Sequence, residues 1–280
     1  MSDVAVTLAL SASTIKDYMT CPQYYYLRHV RKFRPPQSQP AKVGTQWHCV
    51  LDKYFETRSF DAALEVLRFT WPGDLTEDKA QNLSRMEKVL KAYVDRYGSD
   101  GVEVLRPADV DFIDLQIPGS LFKIRVKMDK VIRWDRTIWV MEHKLTTRLN
   151  RHQYNPNYQV AFYVWASRQL GLDMRPVGCI VDIAHVTTRD INFIREDISR
   201  NEAQDAETLR LADEIGQRIL RDAAAGFYPH NWSACSMYGE CVYRSGCKSS
   251  PDIRERVFQL EYVINEGDSD GADVRGSDPA

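Results

Sequence analysis

The sequence contains no long hydrophobic run. None of its apolar stretches approaches the length of a membrane-spanning helix, and no basic and then apolar leader opens the chain. We therefore expect a protein without a membrane segment that works in the cytoplasm. Disulfides are rare in that compartment, so the six cysteines are expected to be reduced or to bind a metal.

Two further absences narrow the functional class. The chain has no glycine-rich phosphate-binding signature of the P-loop type, which excludes a nucleotide-driven motor of that kind within it. It also has no excess of positive charge, because 37 Lys and Arg face 39 Asp and Glu and give a formal net charge of −2. The bulk charge therefore does not indicate a nucleic-acid binder.

Acidic and basic side chains follow an apolar run in a pattern that suits a metal site. Residues 137–141 are β-branched and aromatic, and a strand that continues through Lys144 places Glu142 and Lys144 on one side. Residues 122–129 alternate so that Asp129 lies on the polar face of its own strand. Pairing the two strands as a hairpin would bring Asp129 and Glu142 to one edge. Unrelated salt-bridged strands would give the same pattern.

These residue types suit phosphodiester hydrolysis. Such a reaction needs a hydroxide nucleophile and relief of charge on the phosphate, and bound Mg²⁺ or Mn²⁺ supplies both. Mg²⁺ prefers a few carboxylate oxygens together with water and substrate phosphate, and an added imidazole suits Mn²⁺. The pattern predicts Asp129 and Glu142 as ligands, and Lys144 as the group that orients water and offsets negative charge.

Further short motifs accompany these residues in a fixed order. They are Leu8-Ala9-Leu10-Ser11-Ala12-Ser13-Thr14-Ile15, Cys21-Pro22-Gln23-Tyr24-Tyr25-Tyr26, Gly44-Thr45-x-x-His48, Asp129, Glu142-His143-Lys144, Gln159-x-x-x-Tyr163 and a cysteine cluster ending at Cys247. In this order the chain resembles the PD-(D/E)xK nucleases of the RecB type, which include the AddB nuclease domain, CRISPR-associated exonucleases and phage-encoded proteins. The resemblance spans about 240 of the 280 residues. No single motif is specific, but their shared order is.

The resemblance implies a fold and a set of roles. The fold would be α/β, with a restriction-endonuclease-like mixed central sheet flanked by helices. His48 would join Asp129 and Glu142 as a metal ligand, with the backbone carbonyl of His143 as a further one, while Lys144 would be the catalytic lysine. Gln159 and Tyr163, one helical turn apart, would support the site or hold the DNA backbone. The alternatives are a histidine packed on its helix between Trp47 and Leu51, and a plain core tyrosine.

The cysteines form a second pattern. Cys235, Cys241 and Cys247 are spaced C-x5-C-x5-C, and Cys21 lies near the first predicted helix. The resemblance implies that these four thiolates bind a [4Fe-4S] cluster that joins the N- and C-terminal segments. The spacing departs from the commonest family version, which has two residues between the first pair. A structural zinc ion and unligated thiols are the alternatives. Cys49 and Cys179 are expected to be small core residues.

The organisation follows from length and local pattern. We expect a single nuclease domain over residues 1–265, with a helical lobe at 44–98, a catalytic α/β core at 102–198 and cluster segments at 21 and 235–247. Further strands are predicted near 177–186 and 190–198. Ser199 followed by Glu202 resembles a capping box, which predicts a helix that opens at Ser199 and runs to about Ala225. Residues 266–280 are acidic and poor in apolar side chains, and should be disordered.

The combined interpretation is a metal-dependent DNA nuclease of a bacterial or phage-infected cell. An exonuclease acting at DNA ends is favoured by the resemblance, in replication, recombination, repair or CRISPR adaptation, with a separate helicase, recombinase or CRISPR protein as a conceivable partner. Arg125, Lys127, Arg148 and Arg151 are candidate DNA-backbone contacts, although any one such residue is more often a solvated side chain. The rival interpretations are an enzyme that cuts internally or at branched structures, a catalytically silent DNA-binding subunit, and an iron–sulfur redox sensor.

Overall fold

A computed structural model describes residues 8–35, 38–71, 80–109, 111–237 and 239–264 of the chain. The predicted tail at 266–280 lies outside these residues. Within the described segments, no helix combines the length and the apolar character needed to cross a membrane.

The described residues form nine α-helices and ten strands. The helices are α1 (Ala12–Thr20), α2 (Pro22–Tyr25), α3 (Gln39–Thr57), α4 (Phe60–Phe69), α5 (Leu83–Tyr97), α6 (Tyr158–Ser167), α7 (Glu202–Ala225), α8 (Arg244–Lys248) and α9 (Pro251–Glu261). The strands are β1 (Ala9–Leu10), β2 (Phe33–Arg34), β3 (Glu103–Arg106), β4 (Ile113–Gln116), β5 (Lys123–Val126), β6 (Lys130–Trp134), β7 (Thr137–Thr146), β8 (Gly178–Val186), β9 (Ile191–Ser199) and β10 (Val263–Ile264). The protein is therefore of mixed α/β type, as predicted.

The chain divides into two compact units, and the larger comprises residues 37–112 and 127–202. Its sheet has five strands in the order β3-β6-β7-β8-β9, with β7 and β8 parallel and the other neighbours antiparallel. Because side chains alternate across a strand, each strand of this sheet has two different faces.

One face of this sheet carries the main core of the unit. The helices α3, α4 and α5 cover it with apolar side chains that include Trp47, Leu51, Leu67, Leu90 and Tyr93, packed on Met141, Ile180 and Phe193. The other face of β7 and β8 receives α6, whose Asn157 caps the helix by accepting from the amide of Gln159 at 2.8 Å. Two layers of helix thus enclose the central strands.

The smaller unit comprises residues 1–36, 113–126 and 203–280. It contains a three-stranded sheet, β1-β5-β4, and a two-stranded pair of β2 and β10. Its small core gathers aromatic side chains around Tyr243, whose buried hydroxyl donates to the carbonyl oxygen of Phe33 at 2.6 Å. The prediction of one domain over 1–265 stays a prediction beside this division.

The segment around Asp129 differs from the sequence-based prediction. The expected continuous strand over 122–129 is wrong: β5 ends at Val126 and pairs with β1 and β4, whereas a separate strand, β6, begins at Lys130 and forms the hairpin with β7. The turn at Asp135 and Arg136 sets that register, since both residues have positive φ of 45° and 62°, as two-residue hairpin turns favour. Alternation predicts a strand but not which sheet receives it. Asp129 lies immediately before β6.

Close strand packing leads to a prediction at Gly178. A Cβ at this position of β8 would clash with the backbone carbonyl of Ile198 and lie 2.9 Å from the Cα of Ser199 on β9. We expect Gly178→Ala to lower the free energy of unfolding by about 2 kcal/mol, because rigid backbone must move. Gly44→Ala is the control, since no atom lies within 4 Å of its added Cβ and α3 surrounds it. Urea denaturation should show Gly44→Ala neutral or stabilised; equal losses would contradict the prediction.

Candidate active site

The C-terminal half of β7 places two acidic residues side by side. The last pair between β6 and β7 is Lys130 with Met141, so Asp129, one residue before Lys130, lies beside Glu142, one residue after Met141. The side chain of Glu142 is 3% exposed and that of Asp129 is 16% exposed. The two acids that the sequence singled out therefore meet at one edge of the hairpin.

Lys144 lies on the same face of β7 as Glu142. Its Nζ donates to Glu142 Oε1 and, at 3.1 Å, to Oε1 of Gln159 on α6. Gln159 in turn donates through Nε2 to Glu142 Oε1 at 2.9 Å and to the Tyr163 hydroxyl at 3.0 Å. The Tyr163 hydroxyl donates to the backbone carbonyl of Lys127 at 2.5 Å. The helical spacing of Gln159 and Tyr163 thus links α6 to the segment that leads into Asp129.

Asp129 is held from two directions. His48 on α3 lies with Nδ1 3.0 Å from Asp129 Oδ1, and the backbone amide of His143 donates to Asp129 Oδ2 at 2.8 Å. The side chain of His48 remains 30% exposed, so its ring is not simply packed between Trp47 and Leu51. The structure brings together His48, Asp129, Glu142 and Lys144.

The electrostatics of this cluster are set by burial and by pairing. Burial raises the pKa of Glu142, although Lys144 opposes the shift. For Lys144, burial disfavours the charged form, but the carboxylate of Glu142 outweighs it and raises the pKa of the lysine. Asp129 behaves oppositely: burial raises its pKa, but the hydrogen bond and charge of His48, together with the charges of His143 and Lys130, outweigh burial and lower the pKa of the aspartate. Asp129 is therefore a carboxylate at neutral pH.

The donor set suits a hard divalent cation. Oε2 of Glu142 is buried and finds no hydrogen-bond partner among the described residues, which is an uncommon state for a carboxylate oxygen. Asp129 lies beside it and brings a second negative charge. In the described parts of the chain, no three His, Cys, Asp or Glu side chains form a ready-made metal cage. Two acids completed by water and phosphate are what Mg²⁺ prefers.

The four cysteines singled out by the sequence converge in the smaller unit. Cys21, Cys235, Cys241 and Cys247 line one small cavity, and the backbone amide of Asn231 donates to Cys21 Sγ at 3.3 Å. Burial raises the pKa of the Cys247 thiol to about 12, and neighbouring cysteines add to the shift. The four cysteines therefore share one cavity, but among the described residues no three of them are arranged as a ready-made metal site.

The other two cysteines and the candidate DNA-contacting residues differ in their exposure to solvent. Cys179 is buried as expected, but the prediction of a core Cys49 is wrong, since that side chain is exposed on α3. Arg125 forms a two-bonded ion pair with Asp114 on β4, with both distances 2.7 Å, so its guanidinium is already engaged. Lys127 and Arg148 are exposed, and the side chain of Arg151 lies outside the described residues.

Comparison with known proteins identifies the family. The family model described as "PD-(D/E)XK nuclease superfamily" matches residues 9–248. The chain belongs to that superfamily. It is accordingly a nuclease, a hydrolase with DNA as the implied substrate, and nucleases of this superfamily generally use Mg²⁺ or Mn²⁺. The RecB-like subdivision stays a prediction.

Solved structures show a similar fold at low identity. A "Putative exonuclease" from Eubacterium rectale has 17% identity and a TM-score of 0.50, with coverage of 86% of this chain and 89% of that one. The protein SSO0001 has 15% identity and a TM-score of 0.28, with coverage of 74% and 84%. No curated protein matches the sequence. The similarity to the putative exonuclease from Eubacterium rectale supports the fold and nothing further.

Several residues near the site were not found from the sequence. Lys130 is 1% exposed and pairs with Asp52 of α3 at 3.0 Å, one helical turn after His48. Asp182 of β8 is 2% exposed and lies 3.1 Å from His143 Nδ1. The sequence signal that could have indicated Asp182 was a single acidic residue within the apolar run of residues 178–186.

The position of Gln159 leads to a second prediction. We expect Gln159→Ala to lower the DNA cleavage rate about 10-fold, because Lys144 and Glu142 lose the amide that holds both in place. Gln169→Ala is the matched control, since its amide contacts only the carbonyl of Trp165 at 3.3 Å. Initial rates with both variants test this, and a Gln159→Ala rate equal to that of the control would contradict it.

Proposed function

We propose that this nuclease is a Mg²⁺- or Mn²⁺-dependent exonuclease that hydrolyses phosphodiester bonds at DNA ends. The observation that carries the proposal is the contact set at the end of β7. There, a buried glutamate with one unpartnered oxygen, an adjacent aspartate and a lysine share one edge of the hairpin.

The carboxylates form the metal-binding part of the proposed site. Asp129 and the free Oε2 of Glu142 would hold the cation, with His48 as a further ligand once its contact with Asp129 is exchanged. The amide of His143 points to Asp129, and in an extended strand the carbonyl of the same residue faces the same neighbour. The His143 carbonyl would thus complete the set. When bound, the cation supplies a hydroxide nucleophile and polarises the phosphoryl oxygen.

Lys144 is the proposed group that acts on the substrate side. Its side chain is 28% exposed while its ammonium is anchored on Glu142 and Gln159, so it can reach a phosphate or an attacking water without leaving its partners. A fixed positive charge there would stabilise the negative charge that develops on the phosphate oxygens. Tyr163 and Gln159 would position Lys144 and Glu142 rather than react.

The mode of action and the partners rest on similarity. The resemblance to RecB-type and CRISPR-associated exonucleases favours attack at DNA ends, in repair, recombination or CRISPR adaptation beside a separate motor, recombinase or CRISPR protein. The exposed Lys127, two residues before Asp129, and Arg148, two residues after β7, would contact phosphates in a sequence-independent manner. Arg125, engaged by Asp114, is a weaker candidate.

The cysteine cavity completes the proposal. Cys21, Cys235, Cys241 and Cys247 would hold a [4Fe-4S] cluster, supported by their shared cavity and their mutual effect on pKa. The cluster would be structural and would join α1 to the segment around α8 in the smaller unit.

The test is degradation of end-labelled linear DNA and closed circular DNA by anaerobically purified protein, with Mg²⁺, Mn²⁺ or chelator. We expect loss of linear DNA only, no reaction with chelator, and none with Asp129→Asn. Cleavage of the circle would replace the exonuclease with an endonuclease. DNA binding without any cleavage by the wild type would leave a catalytically silent binding subunit.

A further inference from the structure

The face of the large sheet opposite Glu142 and Lys144 carries a row of buried polar residues. His143 on β7 is directly opposite Asp182 on β8, and Asp182 is directly opposite Arg195 on β9. Their side chains are 0%, 1% and 8% exposed. The row crosses a largely apolar face that also carries the buried Lys130 and that α3 and α5 cover.

Asp182 is the centre of these contacts. Its carboxylate accepts from His143 Nδ1 at 3.1 Å, from Arg195 Nε at 3.3 Å and from the hydroxyl of Tyr93 on α5. Arg195 extends the row, because its Nη1 lies 2.6 Å from Asp100 Oδ2. We call Tyr93, Asp100, His143, Asp182 and Arg195 the Asp182 network.

A buried charged network of this kind contributes little net free energy to the stability of the fold. Charges removed from water lose hydration that pairing only partly returns, and well-packed apolar residues often serve a core as well or better. Burial also disfavours ionised Asp182, yet the contacts with His143, Arg195 and Tyr93 together outweigh burial and lower the pKa of Asp182. The carboxylate is therefore a permanent acceptor at neutral pH, and it fixes the ring of His143.

His143 needs this support because the backbone around it is paired on one side only. On the β6 side the ladder ends at Lys130 and Met141, whereas the ladder with β8 continues to Thr146. On the β6 side, beyond that last pair, the amide of His143 donates to Oδ2 of the Asp129 side chain at 2.8 Å and not to a backbone carbonyl of a neighbouring strand. Any displacement of His143 is thus transmitted to a proposed metal ligand.

We propose that Asp182 is a positioning residue for the active site, which anchors His143 so that its amide orients the carboxylate of Asp129. The inference rests on the proposed function, since the orientation matters only if Asp129 binds the cation. It adds a role for the opposite face of β7. There, the row of His143, Asp182 and Arg195 fixes the arrangement of the carboxylates before metal and DNA bind.

Two substitutions of graded severity test this. Asp182→Asn removes the charge, and Tyr93→Phe removes one hydroxyl from the carboxylate. Asp100→Asn is the matched control, because it breaks the far ion pair with Arg195 but does not touch His143. Its retained carbonyl oxygen can still accept from the amide of Val102.

Three measurements on the whole protein distinguish positioning from general destabilisation. They are the ¹⁵N–¹H resonance of the His143 amide without metal, the Kd for Mn²⁺ alone by calorimetry, and kcat against KM for linear DNA. We expect Asp182→Asn to shift the amide resonance, weaken Mn²⁺ binding about 10-fold or more and lower kcat with KM unchanged. Tyr93→Phe should do the same to a smaller extent, and Asp100→Asn should match the wild type in all three.

The outcomes separate this inference from the proposed function. An unshifted His143 amide and unchanged Mn²⁺ binding in both Asp182→Asn and Tyr93→Phe would overturn the positioning role, even if the wild type cleaves DNA. Equal effects of Asp100→Asn would assign the network to stability and would also overturn it. A wild type that binds no Mn²⁺ would overturn the metal-dependent function itself, and the positioning role with it.

Discussion

Replacing Lys144 by methionine should reduce DNA cleavage by about 10³-fold while DNA binding persists. Methionine keeps much of the length and apolar character of the side chain but removes the ammonium that contacts Glu142 and Gln159. Two losses combine in this variant. The developing phosphate charge loses its nearest fixed cation, and the buried carboxylate of Glu142 loses the group that opposes the rise of its pKa.

The second loss should make the cleavage rate of Lys144→Met depend on pH. Burial already raises the pKa of Glu142, and without Lys144 the pKa should rise further, so a larger fraction is protonated and unable to bind a cation. The residual activity of Lys144→Met should therefore recover partly as the pH increases, although never to the level of the wild type. Steady-state rates across a pH series measure both effects.

The control for this prediction is Lys53→Met on α3. Its ammonium pairs with Glu56 at 3.0 Å and its side chain is 37% exposed, so it shares the chemistry of Lys144 without its location. We expect wild-type rates from Lys53→Met. If Lys144→Met retained more than about a tenth of the wild-type rate, the lysine would not be the stabilising group.

Local periodicity predicted the parts of the site that lie within one element. A period of two places Glu142 and Lys144 on the same face of β7, and a spacing of four places Gln159 and Tyr163 on the same face of α6. The helix that follows β9 ends at Ala225, as predicted, but it begins at Glu202 because Ser199, the predicted cap, is the last residue of β9. Such features depend only on the geometry of one strand or helix.

Contacts between distant segments were not available from periodicity. His48 and Asp129 are 81 positions apart, and only the family resemblance linked them. Tyr93 and Asp182 are 89 positions apart, and neither was singled out, because a buried tyrosine and a lone acid in an apolar strand have no sequence signature of pairing. The division of residues 122–134 between two sheets was also not predictable from the sequence, because alternating residues fit either sheet.

The two faces of β7 divide the work of the proposed site. Glu142 and Lys144 project towards α6 and carry the chemistry, while His143 projects towards α3 and α5 and carries the support. Adjacent residues of one strand can serve both purposes because side chains alternate. Substitutions of Glu142 or Lys144 should therefore remove a group that acts on the metal or the substrate, whereas substitutions on the opposite face should act through the placement of Asp129.

Replacing a cysteine of the cavity should have the second large effect. We expect Cys21→Ser or Cys247→Ser to lose the iron–sulfur cluster and to lower the melting temperature by about 10 °C, as a loss of about 4 kcal/mol implies for a chain of this size. The two residues lie more than two hundred positions apart, so a cluster that joins them closes a long loop. Iron and labile-sulfide analysis, visible absorption and thermal unfolding measure the effect.

Cys49→Ser is the matched control, because Cys49 is exposed on α3 and is not among the residues that line the cavity. It should retain the cluster and the melting temperature of the wild type. Zinc in place of iron in anaerobically purified protein would keep the cavity as a metal site but reject the cluster. Metal-free protein whose Cys21→Ser and Cys247→Ser variants melt as the wild type does would reject both.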